Sequence, residues 1–366
     1  MILEDRHGVR CDASRSSKPR QGGFTIVELM VAITLGMVIM AGLITIFVNS
    51  VRSRDEIERA NQQIENGRYA MQLLTDDLRN AGYLAEFNPG AMATPATKPD
   101  PCATAPSALI AALPISVQGY DNGANLPATC SFLSVSTGTD VIVIRRASTC
   151  AVGDTDCDAV ISGVPYLQAS GCSSAAELGS TLIANYFALD TNTANLTLHQ
   201  KDCNPPTTPG TLAPYHQYRT HIYYIDDNDK SGDGIPTLKR AELGASGFTI
   251  VPLVEGIQNL QIEYGIDTST PTTGAPAVFT ADPDSYGTCA PAVCVGYWRN
   301  TVAAKINLLA RNITATAGYT DSKTYTLGRK ADGTTANNFG PFNDAYKRHA
   351  YSAEVRLNNP AGRNTP

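Results

Sequence analysis

The sequence predicts an α+β fold: a long N-terminal helix, half membrane-spanning and half amphipathic, packed on a β-rich, disulfide-containing head. Three observations carry this. Phe24 to Val48 is a nearly unbroken apolar run of 25 residues with one ionisable side chain, Glu28. From Ile57 to Ala81, small and apolar residues recur every three or four positions, the spacing of one helical face. Beyond residue 83 the pattern changes to the period-two alternation of strands. Between those strands lie stretches rich in Pro, Thr, Ala and Gly that hold eight of the nine cysteines.

The apolar run is long enough to cross a bilayer, since 25 helical residues span roughly 37 Å against a hydrocarbon core of about 30 Å. A charge deep in the membrane costs about 2.5 to 3.5 kcal/mol on insertion scales, so Glu28 needs a compensating role. Residues 1–23 carry Arg6, Arg10, Arg15, Lys18 and Arg20 against three acids and end in Gly22 and Gly23. By the positive-inside tendency this end stays in the cytoplasm and the chain after Val48 is exported. A secretory signal peptide has a shorter apolar core and a small-x-small cleavage site, which Val48-Asn49-Ser50 matches poorly. An ordinary single-pass anchor explains neither the Gly-Phe junction nor Glu28.

The stretch Gly23-Phe24-Thr25-Ile26-Val27-Glu28 resembles the class III signal of type IV prepilins: a basic leader ending in Gly, then Phe, with Glu at the fifth mature position. The resemblance implies cleavage between Gly23 and Phe24 by a prepilin peptidase and N-methylation of Phe24. It also implies that Glu28 pairs with the Phe24 amine of a neighbouring subunit, turning the burial cost into a register signal. A buried pair of this kind is better understood as specifying register than as adding stability.

The helix is expected to continue to about Ala81. Ile57, Ala60, Ile64, Gly67, Met71, Leu74, Leu78 and Ala81 form the inward stripe, with Arg59, Glu65, Arg68 and Asp77 between them. Gly82 fits the position just past a helix end. Three of the eight stripe positions are small and the stripe lasts under four heptads, which favours packing on a sheet over a free coiled coil. The division is then leader 1–23, membrane or filament-core helix 24–48, amphipathic helix 49–82 and head 83–366, long enough for two lobes.

In the head, Val141 to Ile144 reads as a central strand. Alternation marks 260–266, 302–308 and 351–357, and further strands are expected near 181–189, 196–200 and 219–225. Cys11 lies in the leader. The even number remaining, Cys102, Cys130, Cys150, Cys157, Cys172, Cys203, Cys289 and Cys294, points to disulfides made in an oxidising compartment. Eight cysteines allow 105 pairings, so spacing leaves the connectivity open. Neighbour pairing is the expectation, because each neighbouring pair brackets one loop without a core of its own. Zinc knuckles of the C-x-x-C type are absent from the sequence.

GRYAMQLLTDDLRNAGY (67–83), LVEGIQNLQIEYG (253–265), TVAAKINLLARN (301–312) and YSAEVRL (351–357) look like the PilW kind of minor pilin. Residues 88–130 and 149–214 lie outside the resemblance. It implies a low-abundance subunit that joins other minor pilins and the major pilin, primes assembly from the inner membrane with its head in the periplasm, and ends at the extracellular pilus tip beside an adhesin. The alternatives are a tip-located binding module and a minor pseudopilin of a type II secretion system.

One loop carries chemistry of its own. Asp227, Asp229, Ser231 and Asp233 stand at positions 1, 3, 5 and 7 of a calcium-type loop with Gly232 at position 6, and oxygens spaced two apart can converge on a hard cation. Position 12 is Leu238 in place of the bidentate Glu, so an Asp-rich hairpin turn is the competing reading. No nucleophile elbow, H-E-x-x-H, phosphate loop or dinucleotide fingerprint occurs, which argues against an enzyme. Without residues 1–23 the chain has 23 basic and 31 acidic residues, a net charge of −8. That disfavours nucleic acid as a partner.

Overall fold

The computed structural model describes residues 22–203 and 210–364; the leader residues 1–21, including Cys11, lie outside them. Contacts divide the chain into two units, one ending at Glu56 and one beginning at Ile57. A single helix, α1, Ile26–Asn80, contributes to both. In the first unit its side chains, from Phe24 through Val51, are exposed. It is long and apolar enough to cross a membrane.

In the second unit the buried face of α1 is Gln63, Gly67, Ala70, Leu74, Asp77 and Leu78, followed by Ala81. The lower part of this face is turned by one residue from the expected stripe. Ile57 and Ile64 remain 59% and 40% exposed, while Gln63 and Ala70 take the inward positions. The reason is close approach. A Cβ at Gly67 would lie 2.2 Å from the Tyr351 ring, so the helix backbone sits where a larger inward side chain has no room. Gln63 Nε2 donates to the carbonyls of Ala310 and Lys347, both at 2.9 Å. Asp77, expected among the outward polar residues, is 6% exposed. Gly82 ends the helix with φ +72°, a left-handed turn that favours glycine, and its N–H donates to the Arg145 carbonyl.

The head begins with α2, Pro106–Ala112, and the strands β1, Val117–Tyr120, β2, Val141–Ala147, β3, Tyr166–Ala169, and β4, Phe187–Asp190. Next come β5, Tyr215–Asp226, β6, Thr237–Gly244, β7, Gly247–Glu255, β8, Ile257–Ile266, and β9, Val278–Thr280. The chain closes with α3, Pro291–Arg299, β10, Thr301–Arg311, β11, Tyr325–Arg329, β12, Ala336–Phe339, β13, Arg348–Arg356, and α4, Asn358–Arg363. A seven-stranded antiparallel sheet runs β1-β2-β5-β3-β4, with β6 and β7 continuing from β5. A second sheet runs β13-β10-β8-β9, and β11 pairs with β12.

The two sheets share one core. Ala70, Leu74 and Leu78 of α1 meet Ile142, Ile144, Tyr223 and Ile225 of the first sheet, and Leu260, Ile262, Ile306 and Leu308 of the second. The continuous apolar run in β2 reflects burial on both faces. Val141 and Val143 point the other way, against Tyr224, Leu133 and the Cys102 and Cys130 sulfurs. A disulfide-stapled loop therefore does the covering that a helix would do elsewhere.

Several expected strands are shorter or absent. In 181–189 only Phe187 onward is strand, because 183–185 winds into a 3₁₀ turn. Residues 196–200 contribute one isolated bridge, His199 to Leu212. Segment 253–265 is split at Gly256, φ +78°, where a Cβ would stand 2.8 Å from the Arg311 carbonyl. Strands β6 and β7 and helix α3 fall in regions where no element was expected.

Candidate assembly site and its supports

The first turn of α1 is closed by a reciprocal cap. The Thr25 N–H and hydroxyl both donate to Glu28 Oε2, at 2.9 and 3.0 Å, and the Glu28 N–H donates to Thr25 Oγ1 at 3.2 Å. This is a capping box, with Thr at the N-cap and Glu three residues on. It satisfies helix N–H groups that otherwise have no partner. The signal T-x-x-E stood in the sequence, and reading Glu28 only as an intersubunit group passed over it. Both side-chain bonds use Oε2, so the carboxylate serves its own helix while Oε1 stays open to a second donor. Gly23 and Phe24 precede this turn and are exposed.

A second polar constellation sits where α1 meets the head. Asp77 Oδ1 accepts from Arg146 Nε at 2.6 Å. Its Oδ2 lies 2.6 Å from His221 Nδ1 and accepts from the Tyr223 hydroxyl at 2.8 Å. Burial alone would push the Asp77 carboxyl up. The bond and charge of His221, together with Arg146, outweigh it and hold the group well below the usual carboxylate range. The helix is thereby fastened to β2 and β5 at one point, within hydrogen-bonding tolerance.

Four disulfides staple the loops: Cys102 to Cys130, Cys150 to Cys157, Cys172 to Cys203 and Cys289 to Cys294. The first has a sequence separation of 28, and a loop of that length is worth about 3 to 4 kcal/mol in the chain-entropy account. Replacing both Cys102 and Cys130 by serine is expected to lower stability by about 2 to 5 kcal/mol, read as a lower urea midpoint. Loss of the Cys289–Cys294 bridge, separation 5, should cost less. Equal costs would contradict loop entropy as the cause.

The Asp-rich loop joins β5 to β6. Asp233 accepts from the N–H groups of Asp229, Lys230 and Ile235, at 3.1, 2.8 and 3.0 Å. Asp227 Oδ1 accepts from the Ser136 hydroxyl at 2.5 Å, Ser231 is exposed, and Leu238 is buried in the core. The structure does not bring the three carboxylates together. Among the described residues the grouped ligand atoms are those of Asp100, Cys102 and Cys130, and the two sulfurs are bonded to each other. Calcium at 227–233 stays a proposal for experiment. It requires a Tm that rises with millimolar calcium and falls again with chelator, and an unchanged Tm contradicts it.

The histidine rings support no catalytic arrangement. His199 meets Glu177, His216 the Ser148 carbonyl and His221 Asp77, while His349 packs edge-on against Tyr351. No hydrogen bond links a histidine ring to a hydroxyl or thiol nucleophile among the described residues.

Comparison with known proteins finds two matching families. Residues 222–359 match the family described as Type IV Pilus-assembly protein W, and residues 18–44 match the prokaryotic N-terminal methylation motif. No curated protein matches the chain. Among solved structures, a type IV-like pilin from Thermus thermophilus is similar at 13% identity, over 62% of this chain and 81% of that one, with a TM-score of 0.27.

Proposed function

We propose that this PilW-like protein, with its N-terminal methylation motif and apolar helix, is a minor pilin that primes type IV pilus assembly and sits at the pilus tip. Its partners in this reading are other minor pilins, the major pilin and a tip adhesin, with a prepilin peptidase acting first. The observation that carries it is the conjunction of the methylation motif on 18–44 with the assembly-protein match on 222–359 in one chain. The capped Glu28 supports the reading, because a carboxylate held at the helix start with one oxygen open is placed to receive the Phe24 amine of a neighbour.

In this account the subunit waits in the inner membrane with its head in the periplasm. The apolar side chains of α1, which have no protein partner within the first unit, exchange lipid for other pilin helices on assembly. The head's buried Asp77 junction keeps the second half of α1 fixed while the first half makes new contacts. No step in this requires the chain to catalyse anything.

Deletion tests the role. Loss of surface pili, restored by the intact gene, is the expected result. Normal pili with lost attachment would favour a binding module, and intact pili with a secretion defect would favour a pseudopilin.

A further inference from the structure

A pocket of about 250 Å³ opens where the loop after α1, the segment before β1 and the ends of α3 and α4 come together. Two arginines line it: Arg299, the last residue of α3, and Arg363, the last residue of α4. Both are half-buried. Asn300, Asn364 and Ser116 stand beside them. Ser116 is accommodated only because Gly82 faces it, since a Cβ at Gly82 would come 2.3 Å from the Ser116 hydroxyl.

Elsewhere in the head arginines meet carboxylates: Arg146 meets Asp77, Arg240 meets Glu242, and Arg348 meets Asp321 and Asp344. The two arginines of this pocket meet none. Arg299 Nη1 donates to the Met92 carbonyl and the Thr94 hydroxyl, both at 2.9 Å, and its Nη2 to the Gly90 carbonyl at 2.7 Å. Arg363 Nη2 donates to the Gly82 carbonyl at 2.6 Å. All four acceptors are neutral, and Nε–H groups remain on both side chains, with the whole of Nη1 on Arg363. No acidic side chain lines the pocket among the described residues. Burial pulls both guanidiniums below their usual range, Arg363 to about 10, with no carboxylate to offset it. Two more donors complete the lining: Asn364 Nδ2 is buried without a hydrogen-bond partner, and Ser116, 7% exposed, adds a hydroxyl.

A charge taken out of water without a partner is costly. Each arginine stands in the last turn of its helix, where the helix dipole favours a cation by about 0.3 to 1 kcal/mol, which is too little to replace a counter-charge. The chain without residues 1–23 has acids in surplus, 31 against 23 basic residues, so their absence from this pocket is informative. The open groups named are donors and the charged ones are positive, and an occupant must therefore bring acceptors and negative charge. A carboxylate has two oxygens in one plane, whereas these donors come from three segments of the chain. A tetrahedral oxyanion presents oxygens in several directions, and a double negative charge matches two guanidiniums. We propose that the pocket binds a phosphate group, with Arg299 and Arg363 on its oxygens and Asn364 and Ser116 completing the shell. The proposal is independent of the assembly reading, because it rests on this pocket alone.

The test uses the full chain in a phosphate-free detergent and Tris buffer, titrated calorimetrically with inorganic phosphate, glycerol 1-phosphate and acetate, with Tm read in parallel. Saturable binding of inorganic phosphate at millimolar concentrations is expected, together with a Tm that rises by mass action. Acetate should bind at least tenfold more weakly. Binding of glycerol 1-phosphate as well supports a phosphate carried on a larger molecule as the source, and binding of the free ion alone supports the ion itself. Arg363→Gln and Arg299→Gln should each weaken binding tenfold or more. Asn300→Asp adds a carboxylate to the pocket wall with almost no change of shape. It should abolish phosphate binding without lowering Tm, which keeps the test decisive if an arginine variant fails to fold. No saturation by phosphate, acetate binding as tightly as phosphate, or phosphate binding unaffected by Asn300→Asp would each overturn the proposal.

Discussion

Replacing Asp77 by alanine is expected to destabilise the head by about 3 to 5 kcal/mol, the range for removing one partner of a buried ionic cluster. The loss has an identifiable source. Arg146, His221 and the Tyr223 hydroxyl would keep their places around a missing carboxylate, leaving donors desolvated and unpaired. Asp77→Asn should cost less, since an amide oxygen can still accept, but its NH₂ would face the Arg146 guanidinium. Urea unfolding of the purified protein measures both. A change in unfolding free energy under about 0.5 kcal/mol for Asp77→Ala, the scale of ordinary surface substitutions, would contradict the network as described.

The same group sets a pH dependence. An unfolded aspartate titrates near 3.9, and in the folded protein the Asp77 carboxyl is held lower. A depressed folded value means that the contribution is fully present above the unfolded pKa. It is lost as pH falls from about 4 toward the folded value. Stability of the intact protein should therefore drop steeply on the acid side, and the Asp77→Asn variant should show a shallower acid limb. Parallel acid limbs would contradict the assignment.

The second large effect concerns Glu28. Glu28→Ala removes both the helix cap and the charge, and recovery of the protein in sheared filaments is expected to fall to background while membrane insertion is retained. Glu28→Gln separates the two functions, because glutamine at this position can still close a capping box yet carries no charge. If the carboxylate answers a neighbour's Phe24 amine, glutamine fails as alanine does. Normal recovery with glutamine would mean that Glu28 acts only through its own helix. Thr25→Val gives the complementary variant: it disrupts the cap, worth about 0.5 to 2 kcal/mol, and leaves the charge. It should lower recovery only in part.

What the sequence reveals here follows the range of the interactions. Helix α1, its glycine stop at Gly82 and the buried strand β2 depend on local pattern, and each is visible in a window of a dozen residues. The cysteine count points to bridges, but two of the four close over separations of 28 and 31 residues, so their pairing is not displayed in such a window. Asp77 is different. Its partners lie 69 to 146 positions away, so on a helical wheel it reads as one more outward polar residue. The one-residue turn of the inward face has the same origin, because the Tyr351 ring that requires Gly67 at the interface comes from the far end of the chain. Strand β6 carries the charged side chains Lys239, Arg240 and Glu242, which dilute its alternation. Strand β6 is held by pairing to β5 and β7 by pairing to β6, contacts that pattern alone does not display. The Thr25–Glu28 box is equally local, a T-x-x-E pattern of four residues in which one carboxylate combines a cap with an intersubunit signal.

The central claim is that the apolar first half of α1 stays with the mature protein and begins at Phe24. Intact mass measurement with N-terminal fragmentation of the membrane-extracted protein tests it most directly. The account predicts a chain starting at N-methylated Phe24, and a Gly23→Leu variant in which residues 1–23 are retained. A soluble product whose first residue lies beyond Val48 would contradict it.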